Sequence, residues 1–527
     1  MSRHPCVRFL LCLILVLPAA ARADPPADLS QRIESLRQHF GAPGVSIAIV
    51  ENGRTTFSRG FGTIDLAHPG PVDADTNFAI GSVSKAFTAT ALALLVDEGR
   101  IGWDDKVIDH LTEFRMYDPW VTREMTIRDL LVHRSGLGLG AGDLLVVPRS
   151  NLTRADIVER LARIAPATSF RSAYAYDNIL YMVAGRLIER VSGMTWEAYV
   201  REHVLRPAGM MRATVSNDAR GDARRNAHPH ARLNGAIRGL GDMERLDDLV
   251  VVPQVAAPAG GIAASANDMA RWIALQLAHG SLPGGGRLFS DAASSEMWRP
   301  AILMPAGNLP APLDQTQPMF NSYALGWNVR DYRGVRVVMH GGGVYGSITR
   351  LVLVPERNFG FFLATNSEEA ALLTGLTFEL LDHYLGAERR DWPAAFQNFL
   401  TARFEGAVSA LAAPGAAPAR VGPSLPLARF AGAYRDPWFG TIRISERDGG
   451  LAVAFPHWPG INATLEHWQY DTFRMRFNDA GVEPAFVTFS LGAQGNVERI
   501  TMRAISPIAD FSFDYQDLLF TPVAARE

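Results

Sequence analysis

Cysteine is almost absent from this sequence. The chain of 527 residues has two cysteines, Cys6 and Cys12, near its start. Without cysteine beyond that point, the rest of the chain has no disulfide framework and no thiolate metal site. Lysine is equally rare, since Lys85 and Lys106 are the only lysines among 51 basic residues. Blocks of one charge are also absent, and a formal net charge of −3 at pH 7 predicts no nucleic-acid-binding surface.

The N-terminus carries the features of a targeting segment. The apolar stretch "FLLCLILVL" follows Arg3 and Arg8, and alanines stand at positions 21 and 23. A basic start, a short apolar stretch and a small-x-small site are typical of a signal peptide that is cleaved on export. We therefore predict that residues 1–23 are a signal peptide, and that the mature protein is periplasmic or secreted without a stable membrane span.

Two alternatives to a cleaved signal peptide are disfavoured. An uncleaved membrane anchor would need a longer apolar stretch than this one. Lipid attachment at Cys12 would need a small residue before it, and Leu11 is not small.

The next part of the chain predicts a mixed domain over residues 24–410. Length alone favours two domains, because 527 residues exceed what one hydrophobic core usually organises. Residues 28–41 have helical apolar spacing, a β-hairpin is indicated around the Asn52-Gly53 turn, and residues 335–366 return to strands. This order predicts one domain whose sheet is assembled from distant segments.

A linker and an all-β domain complete the predicted organisation. Residues 411–426 are rich in alanine, proline and glycine, which is typical of a linker. Residues 427–527 contain short alternating segments with glycine turns, and they predict a barrel-like or sandwich domain. Its aromatic residues favour core filling over a ligand pocket: Trp438, Trp458, Trp468 and Phe473.

The first candidate for catalysis lies around Lys85. Ser82 and Lys85 form a Ser-x-x-Lys motif at the start of a predicted helix. Three residues are nearly one helical turn, so the two side chains point to the same side. Serine is a weak nucleophile without a neighbouring base, and a desolvated lysine can be neutral where an arginine stays protonated. We interpret Ser82 as a nucleophile and Lys85 as its proton acceptor.

Two weaker motifs follow. Tyr176 and Asn178 stand in "YDN" before a predicted helix, and a tyrosine beside a cationic lysine can lose and relay a proton. In "MHGGGVYGS", His340 ends a predicted strand, and the glycines let backbone N–H groups approach a reacting carbonyl. Each motif alone is more typical of a packed aromatic residue or a glycine-rich turn.

In their order along the chain, these motifs resemble the serine β-lactamase and penicillin-binding-protein superfamily, and most of all its class C-like serine hydrolases. This implies an α+β fold with a five-stranded antiparallel sheet flanked by helices and a helical subdomain. The C-terminal domain is similar to the lipocalin-like appendage of some D-peptide-cleaving relatives. The segments that carry the resemblance are "FAIGSVSKAFTATALALLVDEGRI", "MTIRDLLVHRSGL", "YAYDN", "APAGGIAASANDMARW", "YALGW" and "HGGGVYGS".

The resemblance also implies roles for single residues. Ser82 would form the acyl-enzyme, with Lys85 as its proton acceptor or electrostatic partner. Tyr176 would be the general base, and Asn178 would bind Lys85 and the substrate amide. The backbone N–H groups of Ser82 and Gly343 would form the oxyanion hole.

The third motif departs from the β-lactamase pattern. Most β-lactamases and transpeptidases of the superfamily have Lys-Thr-Gly where this chain has His340-Gly341-Gly342. Histidine is largely neutral near pH 7, so we expect weaker capture of a substrate carboxylate. His340, Gly342 and Gly343 remain candidates for substrate binding. His-x-Gly resembles the pattern of D-aminopeptidases, D-peptidases and broad esterases.

These observations predict an exported serine hydrolase that cleaves amide or ester bonds, with short peptides containing D-residues as substrates. Alternatives are a β-lactamase or D-Ala-D-Ala carboxypeptidase, a broad carboxylesterase, and a non-catalytic penicillin-binding or sensor protein. A small molecule or short peptide is the expected partner, and an oligomer is compatible with the sequence. No cofactor or metal is expected, and we interpret His228 and His230 as part of a polar loop.

Overall fold

A computed structural model describes residues 24–216, 225–246, 252–412 and 421–523. The predicted signal peptide and residues 413–420 of the predicted linker lie outside the described residues. The first two linker positions, 411 and 412, are helical and not part of a linker, because the preceding helix continues to Ala412. The described helices are α1 (Leu29–Phe40), α2 (Ser84–Asp97), α3 (Val107–His110), α4 (Pro119–Glu124), α5 (Arg154–Leu161), α6 (Ile179–Ser192), α7 (Trp196–Tyr199), α8 (Ala257–Gly260), α9 (Ala266–Leu277), α10 (Asp291–Met297), α11 (Ala370–Tyr384) and α12 (Trp392–Ala412).

The first domain is built on one large antiparallel sheet. Its strands follow the order β2-β1-β12-β11-β10-β9-β8-β7, and β3 with β6 and β4 with β5 form two small ladders. The strands are β1 (Gly44–Glu51), β2 (Arg54–Gly62), β3 (Phe78–Ala79), β4 (His230–Asn234), β5 (Gly241–Arg245), β6 (Ala263–Ala264), β7 (Ile302–Leu303), β8 (Asn321–Tyr323), β9 (Asn328–Tyr332), β10 (Val335–Val344), β11 (Ser347–Val354) and β12 (Phe359–Thr365).

The predicted α+β fold class is confirmed, and the sheet is larger than the resemblance implied. The five strands from β2 to β10 form the antiparallel core, and the short strands β9, β8 and β7 extend it. The predicted hairpin is β1–β2, which turns at Asn52-Gly53. β1 pairs with β12, so that Val45 lies opposite Thr365. The sheet therefore joins chain segments about 300 residues apart, as the alternation of patterns predicted.

Helices cover both faces of the sheet. β1 and β12 are buried along almost their whole length, including alternate residues that point to opposite faces. On one face, α1, α11 and α12 pack in a cluster that contains Leu36 and Leu376. On the other face, α9 packs through Trp272. Both faces of the central strands are therefore apolar, which explains their continuous hydrophobic sequence.

Helix α2 is the centre of the first domain. Every residue from Ser84 to Leu95 is buried, because α6, α8 and α10 pack around the helix. A helix that is apolar on all sides belongs in an interior. The predicted nucleophile Ser82 lies just before it, in the 3-10 turn Gly81–Val83.

The second domain is a closed eight-stranded barrel. Trp438, Trp458 and Phe473 are buried, as predicted. Trp468 is half-buried instead, and the Arg474 guanidinium lies 3.4 Å from the centre of its ring. The strands are β13 (Gly432–Asp436), β14 (Gly440–Arg447), β15 (Gly450–Ala454), β16 (Asn462–Gln469), β17 (Thr472–Phe477), β18 (Ala485–Leu491), β19 (Val497–Ala504) and β20 (Leu519–Pro522).

The barrel packs directly on the first domain. Trp458 Nε1 donates a hydrogen bond to the carbonyl oxygen of Leu144, at 2.8 Å. Arg160 donates to the carbonyl oxygens of Trp438 and Phe439, at 2.7 and 2.9 Å. One continuous cluster of buried apolar residues extends from the first domain into the barrel. The barrel is therefore fixed to the first domain along α5 and the segment that precedes it.

None of the helices in the described part of the chain combines the length and hydropathy needed to cross a membrane.

Candidate active site

The backbone around Ser82 is fixed by close contacts. Ile80 donates its N–H to the carbonyl oxygen of Ile262 and accepts a hydrogen bond from Thr349, each at 2.9 Å. Gly81 has φ +52°, and a Cβ there would lie 3.0 Å from the nitrogen of Gly343. Glycine at position 81 therefore lets the Ser82 turn lie against β10.

Gly342 is a second glycine at which β10 lies close to the Ser82 turn. A Cβ on Gly342 would lie 2.0 Å from the carbonyl oxygen of Ile80, so no side chain fits there. Gly343 is different, because nothing lies within 4 Å of the position of its Cβ. The structure brings the predicted oxyanion residues Ser82 and Gly343 to the same place in the cleft.

Lys85 is completely buried beside Ser82. Its Nζ donates to Ser82 Oγ at 3.1 Å, to Asn178 Oδ1 at 2.7 Å and to the carbonyl oxygen of Ala259 at 3.0 Å. A protonated amine has three N–H groups, so all of them are satisfied. A neutral amine keeps two donors for Asn178 and Ala259, and its lone pair can accept the Ser82 proton.

Burial makes the neutral form of Lys85 accessible. Desolvation lowers its pKa from 10.5 to about 7, against the opposing effect of the Asp143 and Asp177 carboxylates. The Tyr176 and Tyr181 rings lie 4.8 and 5.0 Å from Nζ, and they exclude water from this side of the amine. Near neutral pH, the lysine can therefore both accept and release a proton.

Tyr176 lies in the same cleft, and its titration differs from the expectation. Burial raises the pKa of its phenol well above 10, although a hydrogen bond with Ser82 acts in the opposite direction. The nearby lysine was expected to make this phenol easier to deprotonate. In the structure the phenol is harder to deprotonate, because desolvation raises its pKa by more than the hydrogen bond with Ser82 lowers it. The resting phenol is neutral, which suits a proton relay better than a standing phenolate.

Asn178 connects Lys85 to a buried acid. Its Oδ1 accepts from Lys85, and its Nδ2 donates to Asp143 Oδ2 at 2.8 Å. The neighbouring Asp177 is buried and accepts from the N–H of Leu180 at 3.3 Å, which supports the first turn of α6. Asp177 and Asn178 of the "YDN" motif therefore have different contacts: Asp177 supports α6, and Asn178 joins Lys85 to Asp143.

His340 is neutral in this environment. Its Nδ1 lies 2.6 Å from the carbonyl oxygen of Gly341, so Nδ1 carries the proton and Nε2 accepts from the Tyr323 hydroxyl at 2.7 Å. Burial and the positive charge of Lys85 lower the pKa of His340 to about 3. Its ring centre lies 6.5 Å from that of Tyr176. The structure thus brings His340 into the cleft without a positive charge.

Several cleft residues were missed in the sequence. The His133 ring lies between Tyr176 and Tyr323, with ring centres 4.2 and 4.5 Å away. His133 and Tyr323 stand in the segments "LLVHRSGL" and "YALGW", whose order along the chain was the signal that could have found them. No comparable signal marked Asp143.

The barrel also contributes to the cleft. The ring of Phe511, between β19 and β20, packs edge-on against Tyr176 with ring centres 5.9 Å apart. Phe511 also lines a cavity of about 870 Å³ between the domains, together with Leu139 and Trp438. This volume lies in the range of small-molecule sites. Phe511 therefore brings the second domain against Tyr176, while Ser82, Lys85 and Tyr176 are not among the residues that line this cavity.

The two histidines considered as a metal pair have structural contacts. His230 lies in β4 and not in a loop. Its Nε2 accepts from the N–H of Leu66 at 3.2 Å, and its Nδ1 lies 3.1 Å from the carbonyl oxygen of Asn366. His228 contacts Arg245 through Nδ1 at 3.0 Å. In the described residues, no group of three or more His, Cys, Asp or Glu side chains is arranged to hold a metal ion.

Comparisons with known proteins cover both domains. Residues 29–381 match the Beta-lactamase family model, and residues 416–522 match a domain of unknown function. An unguisins hydrolase of Aspergillus violaceofuscus is 28% identical over 79% of this chain and 76% of its own. Penicillin-binding protein 4 of Amycolatopsis lactamdurans is 29% identical over 68% of this chain and 90% of its own.

Solved structures show the same fold. The octameric penicillin-binding protein homologue of Pyrococcus abyssi has a TM-score of 0.57 at 19% identity, covering 94% of this chain and 99% of the other. D-amino acid amidase of Ochrobactrum anthropi has a TM-score of 0.55 at 21% identity, covering 68% and 98%. Because the family model spans most of the chain, this protein belongs to the β-lactamase family, within the β-lactamase and penicillin-binding-protein superfamily.

Proposed function

We propose that this protein is an exported serine hydrolase that cleaves amide or ester bonds through an acyl-enzyme on Ser82. The observation that carries the proposal is the contact between Lys85 Nζ and Ser82 Oγ, 3.1 Å apart. With a pKa of about 7 for Lys85, much of the protein holds a neutral amine beside this hydroxyl near neutral pH. A nucleophilic serine needs such a base within hydrogen-bonding distance.

In the acylation step, Ser82 Oγ attacks the substrate carbonyl carbon while its proton moves to Lys85 Nζ. The new C–O bond forms as the carbonyl π bond breaks, and negative charge collects on the carbonyl oxygen. In this proposal the N–H groups of Ser82 and Gly343 donate to that oxygen. The close approach of Gly81 to Gly343 supports this role.

Collapse of the intermediate breaks the bond to the leaving amine or alcohol. Tyr176 gives its phenol proton to the leaving group and takes the proton that Lys85 holds, so both groups return to their neutral forms. The raised pKa of Tyr176 supports a protonated phenol as the starting state. Water then attacks the acyl-enzyme and gives a proton to Lys85, and the same relay returns a proton to Ser82 Oγ as the acid leaves.

Short peptides that contain D-residues are the proposed substrates. A neutral His340 supplies no cation for a substrate carboxylate, which weakens the case for penicillins and for peptides ending in a free carboxylate. The sequence similarity to an unguisins hydrolase supports a hydrolase reaction, and a D-amino acid amidase shares the fold.

A substrate panel tests the reaction. Protein consisting of residues 24–527 is assayed with D- and L-aminoacyl p-nitroanilides, short-chain esters and a chromogenic cephalosporin. We expect turnover of the D-aminoacyl compounds, and loss of that turnover in a folded Ser82→Ala variant. Turnover that persists in Ser82→Ala contradicts the assignment. Failure of a fluorophosphonate probe to label Ser82 supports the non-catalytic alternative.

A β-lactamase or D-Ala-D-Ala carboxypeptidase is the second candidate function. The observation in its favour is the similarity to penicillin-binding protein 4 of Amycolatopsis lactamdurans. Rapid cephalosporin hydrolysis, or stable penicillin labelling of Ser82 with release of terminal D-alanine, would favour it over the first proposal. Efficient ester cleavage without amide cleavage would favour a broad carboxylesterase.

Export is the remaining part of the proposal. The basic start, apolar stretch and small residues of positions 1–23 support it. The test is N-terminal sequencing of the full-length protein after expression in a bacterium. A periplasmic product that begins at Asp24 supports cleavage, whereas a cytoplasmic product that retains residues 1–23 contradicts it.

A further inference from the structure

The barrel inserts a segment into the first domain beside the catalytic cleft. This segment, residues 505–518, connects β19 to β20. The N–H of Gly142 donates to Asp514 Oδ2 at 3.1 Å. A Cβ on Gly140 would lie 2.5 Å from the carbonyl oxygen of Phe511. Glycine is therefore needed at position 140 for the barrel segment to approach this closely.

A chain of hydrogen bonds connects this segment to Lys85. Ser512 Oγ donates to Asp143 Oδ2 at 2.8 Å, and Asn178 Nδ2 donates to the same oxygen at 2.8 Å. Asn178 Oδ1 then accepts from Lys85 Nζ at 2.7 Å. Asp143 and Lys85 are both completely buried. A side chain of the barrel is thus three hydrogen bonds away from the amine beside the predicted nucleophile.

Asp143 determines which way the Asn178 amide faces. Asp143 Oδ2 accepts hydrogen bonds from both Asn178 Nδ2 and Ser512 Oγ. The ionised carboxylate, which prevails above a pKa of about 7, has no proton to donate, so it requires the NH₂ group of Asn178 on its side. The Asn178 oxygen must then face Lys85, where it accepts. A reversed amide would direct its NH₂ group at the Lys85 ammonium and leave two buried donors opposed. Ser512 supports this arrangement because its hydrogen bond holds the shared carboxylate oxygen in place.

The protonation states of Asp143 and Lys85, at the two ends of the Asn178 bridge, affect each other. Burial raises the pKa of Asp143 to about 7, while Ser512, Asn178 and the Lys85 charge act to lower it. An ionised Asp143 in turn favours protonated Lys85. The ionisable groups that face Asp143 are Lys85 of α2, Tyr176, and Asp510 and Asp514 of the barrel segment. Those that face Lys85 are Asp143, Asp177, His133, His340, Tyr176 and Tyr181.

We propose that Asp143 is a positioning residue for Asn178 and Lys85, and that Ser512 of the barrel completes its hydrogen bonding. The C-terminal barrel is then part of the catalytic site, and its docking sets how the active-site lysine is held. This inference rests on the proposed function, because it assigns a task within the Ser82 reaction.

The test compares three variants with the wild-type protein across pH. Ser512→Ala removes the barrel's hydrogen bond, and Asp143→Asn keeps an acceptor oxygen for Asn178 while removing the charge. Ser445→Ala changes an exposed serine of β14 and is the matched control. For each protein, kcat and KM are measured from pH 5 to 9 on the best substrate of the panel, with Tm as the check on folding.

We expect Ser512→Ala to lower kcat about tenfold with little change in KM, the scale of one lost hydrogen bond to a charged group. In Asp143→Asn, the acid limb of kcat/KM should move to lower pH, because loss of the carboxylate charge favours neutral Lys85. A purely structural role would lower activity equally at every pH. Ser445→Ala should match the wild type in both measurements.

Two results overturn the inference: Ser512→Ala within twofold of the wild-type kcat, or Asp143→Asn with an unmoved acid limb. If Asp143→Asn fails to fold, the kcat of Ser512→Ala alone decides whether the inference stands. A different result would refute the proposed function: a wild-type protein that is inactive on the substrate panel and is not labelled by the fluorophosphonate probe. A wild-type protein that labels at Ser82 together with an equally reactive Ser512→Ala variant refutes only the role of the barrel.

Discussion

Replacing Lys85 with arginine tests the chemistry most sharply among single substitutions. The change keeps a positive charge and hydrogen-bond donors in a completely buried position. It removes the ability to give up a proton, because a guanidinium stays protonated in proteins. The chain offers a matched control in Lys106, its only other lysine. Lys106 pairs with Glu124 at 2.9 Å with about a third of its side chain exposed.

The expected size of the effect follows from the loss of a general base. With its pKa at about 7, roughly half of Lys85 is neutral at pH 7. An arginine at this position would stay protonated at that pH, because the pKa of a guanidinium lies far above that of an amine. Loss of a general base costs about 10²- to 10⁴-fold in rate. We therefore expect kcat of Lys85→Arg to fall at least about 10²-fold.

The assay is kcat on the preferred substrate at pH 7, with Tm as a check on folding. Lys106→Arg should keep wild-type activity, since its ion pair with Glu124 can be formed by arginine. Lys85→Met is a second variant that fits the buried space without a base, and it should lose as much activity as Lys85→Arg. A folded Lys85→Arg protein that retains more than a tenth of the wild-type kcat refutes the reasoning.

Three further predictions concern pH, backbone contact and the barrel. The kcat/KM of the wild-type protein should rise with pH through a midpoint near 7, because Lys85 must be neutral and burial lowers its pKa to that value; a pH-rate profile checks this. Gly342→Ala should lower Tm by several degrees, since overpacking costs about 1–3 kcal/mol. Gly343→Ala is the control for thermal melting, because nothing lies within 4 Å of its Cβ position; equal Tm values for the two variants would contradict the packing argument. Phe511→Ala should change the ratio of kcat/KM values between bulky and small aminoacyl substrates, because the Phe511 ring packs against Tyr176 at the cleft. The Tm of this variant should equal that of the wild type, and an unchanged ratio would exclude a role of Phe511 in substrate selection.

Local sequence patterns were sufficient for much of the first domain. The helix at 28–41, the hairpin at Asn52-Gly53 and the pairing of Ser82 with Lys85 depend on neighbours within about four residues. The fold class followed from the order of such patterns together with the family resemblance. Contacts of this kind are visible in the sequence because periodicity reports which side of an element is buried.

Contacts between distant segments could not be predicted in the same way. Ser512 and Asp143 are separated by 369 positions in the sequence, yet they share a hydrogen bond. No periodicity links a turn of the barrel to the 3-10 turn of the first domain that begins at Asp143. The docking depends on surface complementarity, such as Gly140 against Phe511, which appears only when both domains are folded.

The pKa values of the site residues could not be predicted from the sequence either. The expectation for Tyr176 considered only its nearness to a cation, whereas burial of the ring raises its pKa. Desolvation is a property of the folded surroundings, so residue types and spacing do not report it. For His340 the neutral form was expected, and the structure supplies the cause, which is burial beside Lys85.

The most direct test of the account is the titration of Lys85 itself. Because the chain has only two lysines, protein labelled with ¹³C at lysine Cε gives two NMR signals, and the Lys106→Arg variant leaves the Lys85 signal alone. The account predicts that this signal titrates with a midpoint near pH 7. A Lys85 signal that remains that of a protonated amine up to pH 9 would contradict it.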